Sequence, residues 1–132
     1  MSKRKPVFKK LKLDLTKDNF YIVIANDVTE GFELLQTVTK KLDEYEIPHS
    51  QKECPAVCLP LPAGGVVAVF FTFKDLQSYY ICHEVSHATH HILQFIGLKL
   101  TDDTDEVYAY HNDMLFRYCI DFMKENKLRI KI

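Results

Sequence analysis

VVAVFFTFKDLQSYYICHEVSHATHHILQFIG, residues 66–97, changes its hydrophobic period partway along, and that change decides the fold. Its first eight residues, 66–73, are β-branched, aromatic or small and almost wholly apolar, the composition of a strand. From about Asp75 the pattern switches: Ile81, Val85, Ala88, Ile92 and Ile96 recur at three- and four-residue steps. That spacing predicts one long helix with an apolar stripe, ending at Phe95 or Ile96 with Gly97 as its stop. A strand leading into an amphipathic helix is the start of a sheet covered by helices.

The flanking sequence extends this plan. Residues 7–15, VFKKLKLDL, alternate from Leu11 to Leu15, and FYIVIA at 20–25 is β-branched and aromatic, so both predict strands. Phe32, Leu35, Val38, Leu42 and Tyr45 predict a helix from about Thr29 to Tyr45, with Asp27 or Thr29 as its cap and Pro48 beyond its end. Residues 47–63 hold four prolines and read as a loop. A third helix, from about Asp105 to Glu125, is marked by Val107, Met114, Leu115, Tyr118, Cys119 and Phe122. The tail KLRIKI, 127–132, alternates and predicts a last strand. The order β-β-α-β-α-α-β gives an α+β fold in one domain, residues 1–132, with a small mixed sheet covered by about three helices.

Composition narrows the function classes. A chain of 132 residues with 47% hydrophobic and 27% charged residues forms one core without staples, and its net charge of −1 gives no general pull toward nucleic acid or membrane. The lysine-rich start has no apolar stretch behind it such as a signal peptide needs, and no run is long enough to span a bilayer, so the expected location is the cytoplasm. Lysines on the first and last strands read as protection of exposed sheet edges rather than as a nucleic-acid surface. Cys82 and Cys119 read as small buried hydrophobes, and the Cys54-x3-Cys58 pair is a weak zinc signal lacking a second half.

The long helix carries the chemistry. His83-Glu84-x-x-His87 is a His-Glu-x-x-His motif, whose spacing sets two imidazoles on one helical face, about 40° apart, where both can grip one zinc ion. Both histidines fall away from the Ile81–Ile96 stripe, so the stripe can face the core while they face a cleft. Catalytic zinc takes three protein ligands and a water, and TDDTDEVYAYHNDML at 101–115 offers Asp102, Asp103, Asp105, Glu106, His111 and Asp113 for the third. His90 and His91 read as solvated or supporting residues.

HEVSH at 83–87, a 19-residue step from His87 to Glu106, and Glu-x-x-Ala-Tyr at 106–110 together resemble the gluzincin zinc peptidases. Over about residues 63–115 the chain most resembles the small zinc peptidases encoded by phages and prophages. The resemblance implies a minimal zincin-like domain with Zn2+ held by His83, His87 and Glu106. Glu84 then acts as general base toward a zinc-bound water that attacks a peptide carbonyl. Tyr110 is the preferred oxyanion donor, ahead of Tyr108, His111, His90 and His49. The substrate would be a peptide or protein, met in the host cytoplasm if the chain is phage-encoded, and paired with strand 66–73 if that strand has a free edge. Two features depart from the pattern. Tyr110 stands where thermolysin-type members place an aspartate behind a zinc histidine, so that support would come from Asp103, Asp113 or a backbone carbonyl. Asp103-x-x-Glu106 also reads as a capping box. The rival reading is a non-catalytic, zinc-stabilised interaction protein, with His111 or His90 closing the site as a fourth ligand.

Overall fold

The computed structural model describes residues 4–14, 19–39, 46–47, 49–61 and 66–132. Its centre is the apolar run of the quoted stretch, β4 (Val66–Thr72), every residue of which is buried. A strand buried on both faces needs helices on both sides, and it has them. Phe20, Ile22 and Ile24 of β2 (Asn19–Ala25) join Val67, Val69 and Phe71 in a core with Ile81, Val85, Ala88 and Ile92 of the long helix. The alternate residues Tyr21, Val23, Val66, Ala68 and Phe70 face Val28, Phe32 and Leu35 of α1 (Val28–Val38). Gly31 allows that approach, since a Cβ there would stand 3.1 Å from Phe70 and 3.2 Å from Val23.

The sheet is a four-stranded mixed sheet of order β1-β2-β4-β3, with β1 at Val7–Lys12 and β3 at Ala56–Leu61. β2 and β4 run parallel, while β1 and β3 pair antiparallel on either side. The helix of the histidines, α2 (Ser78–Phe95), packs on β3, β4 and α3 (Asp105–Glu125). The α+β class and the two C-terminal helices therefore stand as the sequence predicts. No helix among the described residues is long and apolar enough to cross a membrane.

Three expectations change. Residues 56–61, expected in a loop, form an edge strand: Val57 and Leu59 point into the α1-side core, and Pro60 is tolerated because an edge strand has one side free of ladder bonds. The element order becomes β-β-α-β-β-α-α. The tail is not a strand. It makes one isolated bridge, Lys131 with Gln77, in which Ser78 N–H donates to the Lys131 carbonyl and Lys131 N–H to that of Leu76, 2.7 Å each. The Ser78 bond satisfies an amide at the start of α2, where Gln77 provides no side-chain cap. Finally α1 ends at Val38, with Thr39 extended; Leu42 and Tyr45 lie outside the described residues, as does Leu15 beyond β1.

Both C-terminal helices end in the same 6→1 and 5→2 hydrogen-bond pattern. Leu98 N–H reaches the Leu93 carbonyl and Gly97 N–H that of Gln94; Leu128 reaches Met123 and Lys127 reaches Lys124. Each closure needs a left-handed residue. α2 has Gly97 at φ 78°, but α3 has Lys127 at φ 56°, where a Cβ crowds the carbonyl. Lys127→Gly is expected to stabilise the protein by ~0.5–1 kcal/mol, read as a higher urea midpoint with an unchanged slope. A lower midpoint would mean that the lysine side chain contributes more than its backbone strain costs.

Candidate metal centre

α2 divides its faces sharply. Ile81, Val85, Ala88 and Ile92 are sealed in the core, while His83 and His87, four residues apart, are exposed on the other side. Their rings meet edge to face, with centroids 4.8 Å apart, and their Nε2 atoms are 3.2 Å from each other. Two nitrogens each about 2.0–2.1 Å from a tetrahedral zinc would stand about 3.3–3.4 Å apart, so the pair already has the separation zinc requires. Without metal, the same contact is satisfied by one ring N–H donating to the other ring's lone pair.

Glu84 lies at the boundary of the two faces. It is 7% exposed, and its carboxylate comes within the 4.8 Å that spans the ligand atoms of His83, Glu84 and His87. Among the described residues this is the one group of three or more histidine, cysteine, aspartate or glutamate side chains close enough to hold a metal ion. Burial pushes the Glu84 carboxyl above its ordinary pKa, against the opposing pull of the His83 and His87 rings and of a backbone hydrogen bond from Cys58. That bond identifies the sheet edge at the site. An N–H donated to Glu84 points away from the β4 ladder, so Cys58 faces its backbone outward from β3. The Cys58 thiol is pushed up to about 12 by burial first and by Glu84 second, so it stays protonated.

Two clefts meet at the histidine pair. One, of about 410 Å3, lies between α2 and the β3 edge, with Glu84, Cys58, Pro60, Gln51 and His91 in its wall. The other, of about 560 Å3, runs along the outer face of α2 past Tyr79, Cys82, Ser86 and His90. Both include His83 and His87, but Glu84 lines only the first.

The remaining expected residues are placed differently. Glu106 is exposed in the first turn of α3 and is not a member of the histidine cluster. Its neighbour Asp105 is the acid that lines the α2–α3 crevice, with His90, Thr89 and Asn112. The reason is helical phase: Tyr108, Leu115, Cys119 and Phe122 bury one side of α3, which leaves 106, 110 and 113 toward solvent. Tyr110 is accordingly 70% exposed, touches His111 alone among described rings, and lines neither cleft at the histidines. Of the other oxyanion donors considered, Tyr108 gives its hydroxyl to the Leu98 carbonyl, and the His111 ring meets the Val107 carbonyl at 2.8 Å. His90 packs edge-on against Tyr108, its buried Nδ1 without a partner among the described residues. The side chain of His49 lies outside the described residues.

Asp113 pairs with Arg117 at 3.2 Å and Asp103 is exposed; neither is hydrogen-bonded to His83 or His87. Cys82, expected in the core, is exposed beside His83, whereas Cys119 is buried and its thiol raised by that burial. Sequence reasoning missed Gln51, and read Cys58 only as half of a weak Cys54-x3-Cys58 zinc signal, because 47–63 read as a loop; the period-two Val57-x-Leu59-x-Leu61 was the available signal, masked by its prolines.

Compared with known protein families, with curated proteins and with solved structures, the chain matches none of them.

Because the fold holds Glu84 with a raised pKa, the native state binds its proton more tightly than the unfolded chain does. Its contribution is therefore present at low pH and is lost as pH rises above the ordinary glutamate range of about 4.3 and through the folded value. In chelator, Glu84→Gln should melt higher than wild type at neutral pH, with the gain shrinking as pH falls to about 4. An equal gain at both pH values would assign it to packing rather than to the charge.

Proposed function

We propose that this chain is a zinc-dependent metallopeptidase of the gluzincin kind, in which His83 and His87 hold the metal and Glu84 is the general base. One observation carries the reading: a buried carboxylate, fixed by an amide of the sheet edge, stands within the ligand cluster of two imidazoles whose spacing fits zinc. A helix that merely happened to be rich in histidine would have no reason to bury Glu84 at a cost in stability beside two metal-ligand nitrogens.

When bound, zinc supplies a Lewis acid for the scissile carbonyl and lowers the pKa of its water toward neutrality. The protein's part is positioning. The Cys58 N–H orients one face of the Glu84 carboxylate and leaves the other to accept a proton in the β3-side cleft. Burial raises its basicity toward the working pH, which strengthens proton acceptance and later delivery to the leaving amine.

The strand first expected to bind substrate, β4, is internal, and β3 takes that role because it is the sheet edge beside α2. The Cys58 N–H is already given to Glu84 and Pro60 has none, so pairing along this edge rests on the strand's outward carbonyls accepting from the peptide's amides. Glu106, exposed in the first turn of α3 and outside the histidine cluster, remains the proposed third ligand in this reading; Asp105, in the adjoining crevice, is its competitor. The rival reading, a zinc-stabilised interaction protein without catalysis, draws on the exposure of both histidines.

Two measurements separate these readings. Glu84→Gln is expected to keep about one zinc per chain while peptide hydrolysis falls by roughly 10²- to 10⁴-fold, assayed on a mixed peptide library by mass spectrometry. Equal cutting by both proteins, or none by either when zinc is bound, would favour the interaction protein. Glu106→Ala is expected to weaken zinc binding by roughly 10-fold or more in competition with a chromophoric chelator, and Asp105→Ala to leave it near wild type. The opposite order would transfer the ligand role to Asp105.

A further inference from the structure

Gln51 closes the short 3-10 turn His49–Gln51 that precedes β3, and Cys54 N–H donates to its carbonyl at 3.2 Å. Its side chain helps to form the cleft between β3 and α2, opposite Glu84 and His91. Its Oε1 is sealed from solvent and has no hydrogen-bond partner among the described residues. A buried acceptor without a donor is uncommon, because desolvation costs free energy that a bond normally recovers. Here that cost is already borne by the fold. A ligand N–H that reaches this acceptor supplies the bond it lacks in the folded chain.

The surroundings define what would arrive. Besides Gln51, the wall includes Cys54, Ala56, Val57 and Pro60, which are apolar or weakly polar, and His91. Among the described residues, Glu84 is the one carboxylate in the wall, and no lysine or arginine lines it. Apart from a metal held by His83 and His87, an acidic group would meet no cationic side chain among the described lining residues. A side chain with a narrow apolar stem and a terminal N–H, such as lysine, arginine or glutamine, fits both the wall and the orphan acceptor.

We propose that Gln51 is a specificity-determining residue, and that the β3-side cleft is a subsite selecting peptides that bear a hydrogen-bond donor on one residue beside the scissile bond. The inference rests on the peptidase reading for its orientation, but not for its existence. Rotation of the terminal amide turns Oε1 toward the incoming group.

The test uses the zinc-loaded full-length protein and a hexapeptide library randomised on both sides of the centre. Wild type is expected to favour lysine, arginine or glutamine over norleucine at one position by roughly 10-fold, the discrimination a single charged or neutral hydrogen bond can supply. Gln51→Met should erase that preference, and Gln51→Glu, an acceptor of the same shape, should sharpen it toward lysine and arginine; melting curves confirm that both variants fold. A preference unchanged in Gln51→Met, or a wild-type preference for acidic residues there, overturns the subsite. If wild type cuts nothing, the peptidase reading fails, and retention of the same library on immobilised zinc-loaded Glu84→Gln decides the subsite by itself. Donor-bearing peptides enriched there and lost in Glu84→Gln/Gln51→Met sustain it, and their absence removes it.

Discussion

Everything at the candidate site follows from the division of α2 into two faces. The helix is anchored by Ile81, Val85, Ala88 and Ile92 in the core beneath the sheet. Burying a valine or isoleucine side chain contributes about 1.5–3 kcal/mol, so Ile81, Val85 and Ile92 together fix the helix's rotation with a margin that polar contacts at the surface cannot override. Once that rotation is fixed, His83 and His87 must emerge together, and Glu84, one residue round, must lie at the rim of the core. The 3.2 Å approach of the imidazole nitrogens is thus a by-product of hydrophobic packing on the opposite side.

The rim position has a cost and a use. A carboxylate that is 7% exposed loses hydration, which the Cys58 amide and two nearby rings offset only in part, so its pKa rises. In the proposed peptidase, a basic carboxylate beside the metal is what hydrolytic chemistry requires of a general base. In the proposed peptidase, the edge strand whose Cys58 amide meets Glu84 would also present its outward carbonyls to substrate, coupling substrate placement to base placement.

Much of this was legible in the sequence, and the parts that were not share one cause. Long periodic segments declared themselves: β4 by seven successive apolar or β-branched residues, α3 by a stripe that gave both of its ends, and the histidine pair by its four-residue spacing on an amphipathic helix. Asp27 was legible as a cap, and it accepts from Glu30 N–H at 2.7 Å. Short, non-periodic segments misled. Ala56–Leu61 hid behind Pro55 and Pro60, because proline marks loops and edge strands alike, and with it went the Cys58 amide and Gln51. KLRIKI alternates like a strand, yet the left-handed turn at Lys127 directs it to the start of α2 instead of a sheet edge. Glu106 was chosen from spacing along the chain, whereas its direction is set by which side of α3 the core claims, and that side depends on tertiary packing.

The central claim is that the two imidazole nitrogens are ligands of one metal ion. Anomalous diffraction recorded above and below the zinc absorption edge, on crystals grown with zinc, tests it most directly. The account predicts a single strong peak that vanishes below the edge and lies about 2.0–2.1 Å from both the His83 and the His87 Nε2 atoms, on the side of the Glu84 carboxylate. A zinc-saturated crystal with no peak there, and with the two rings still joined by their own hydrogen bond, would contradict it.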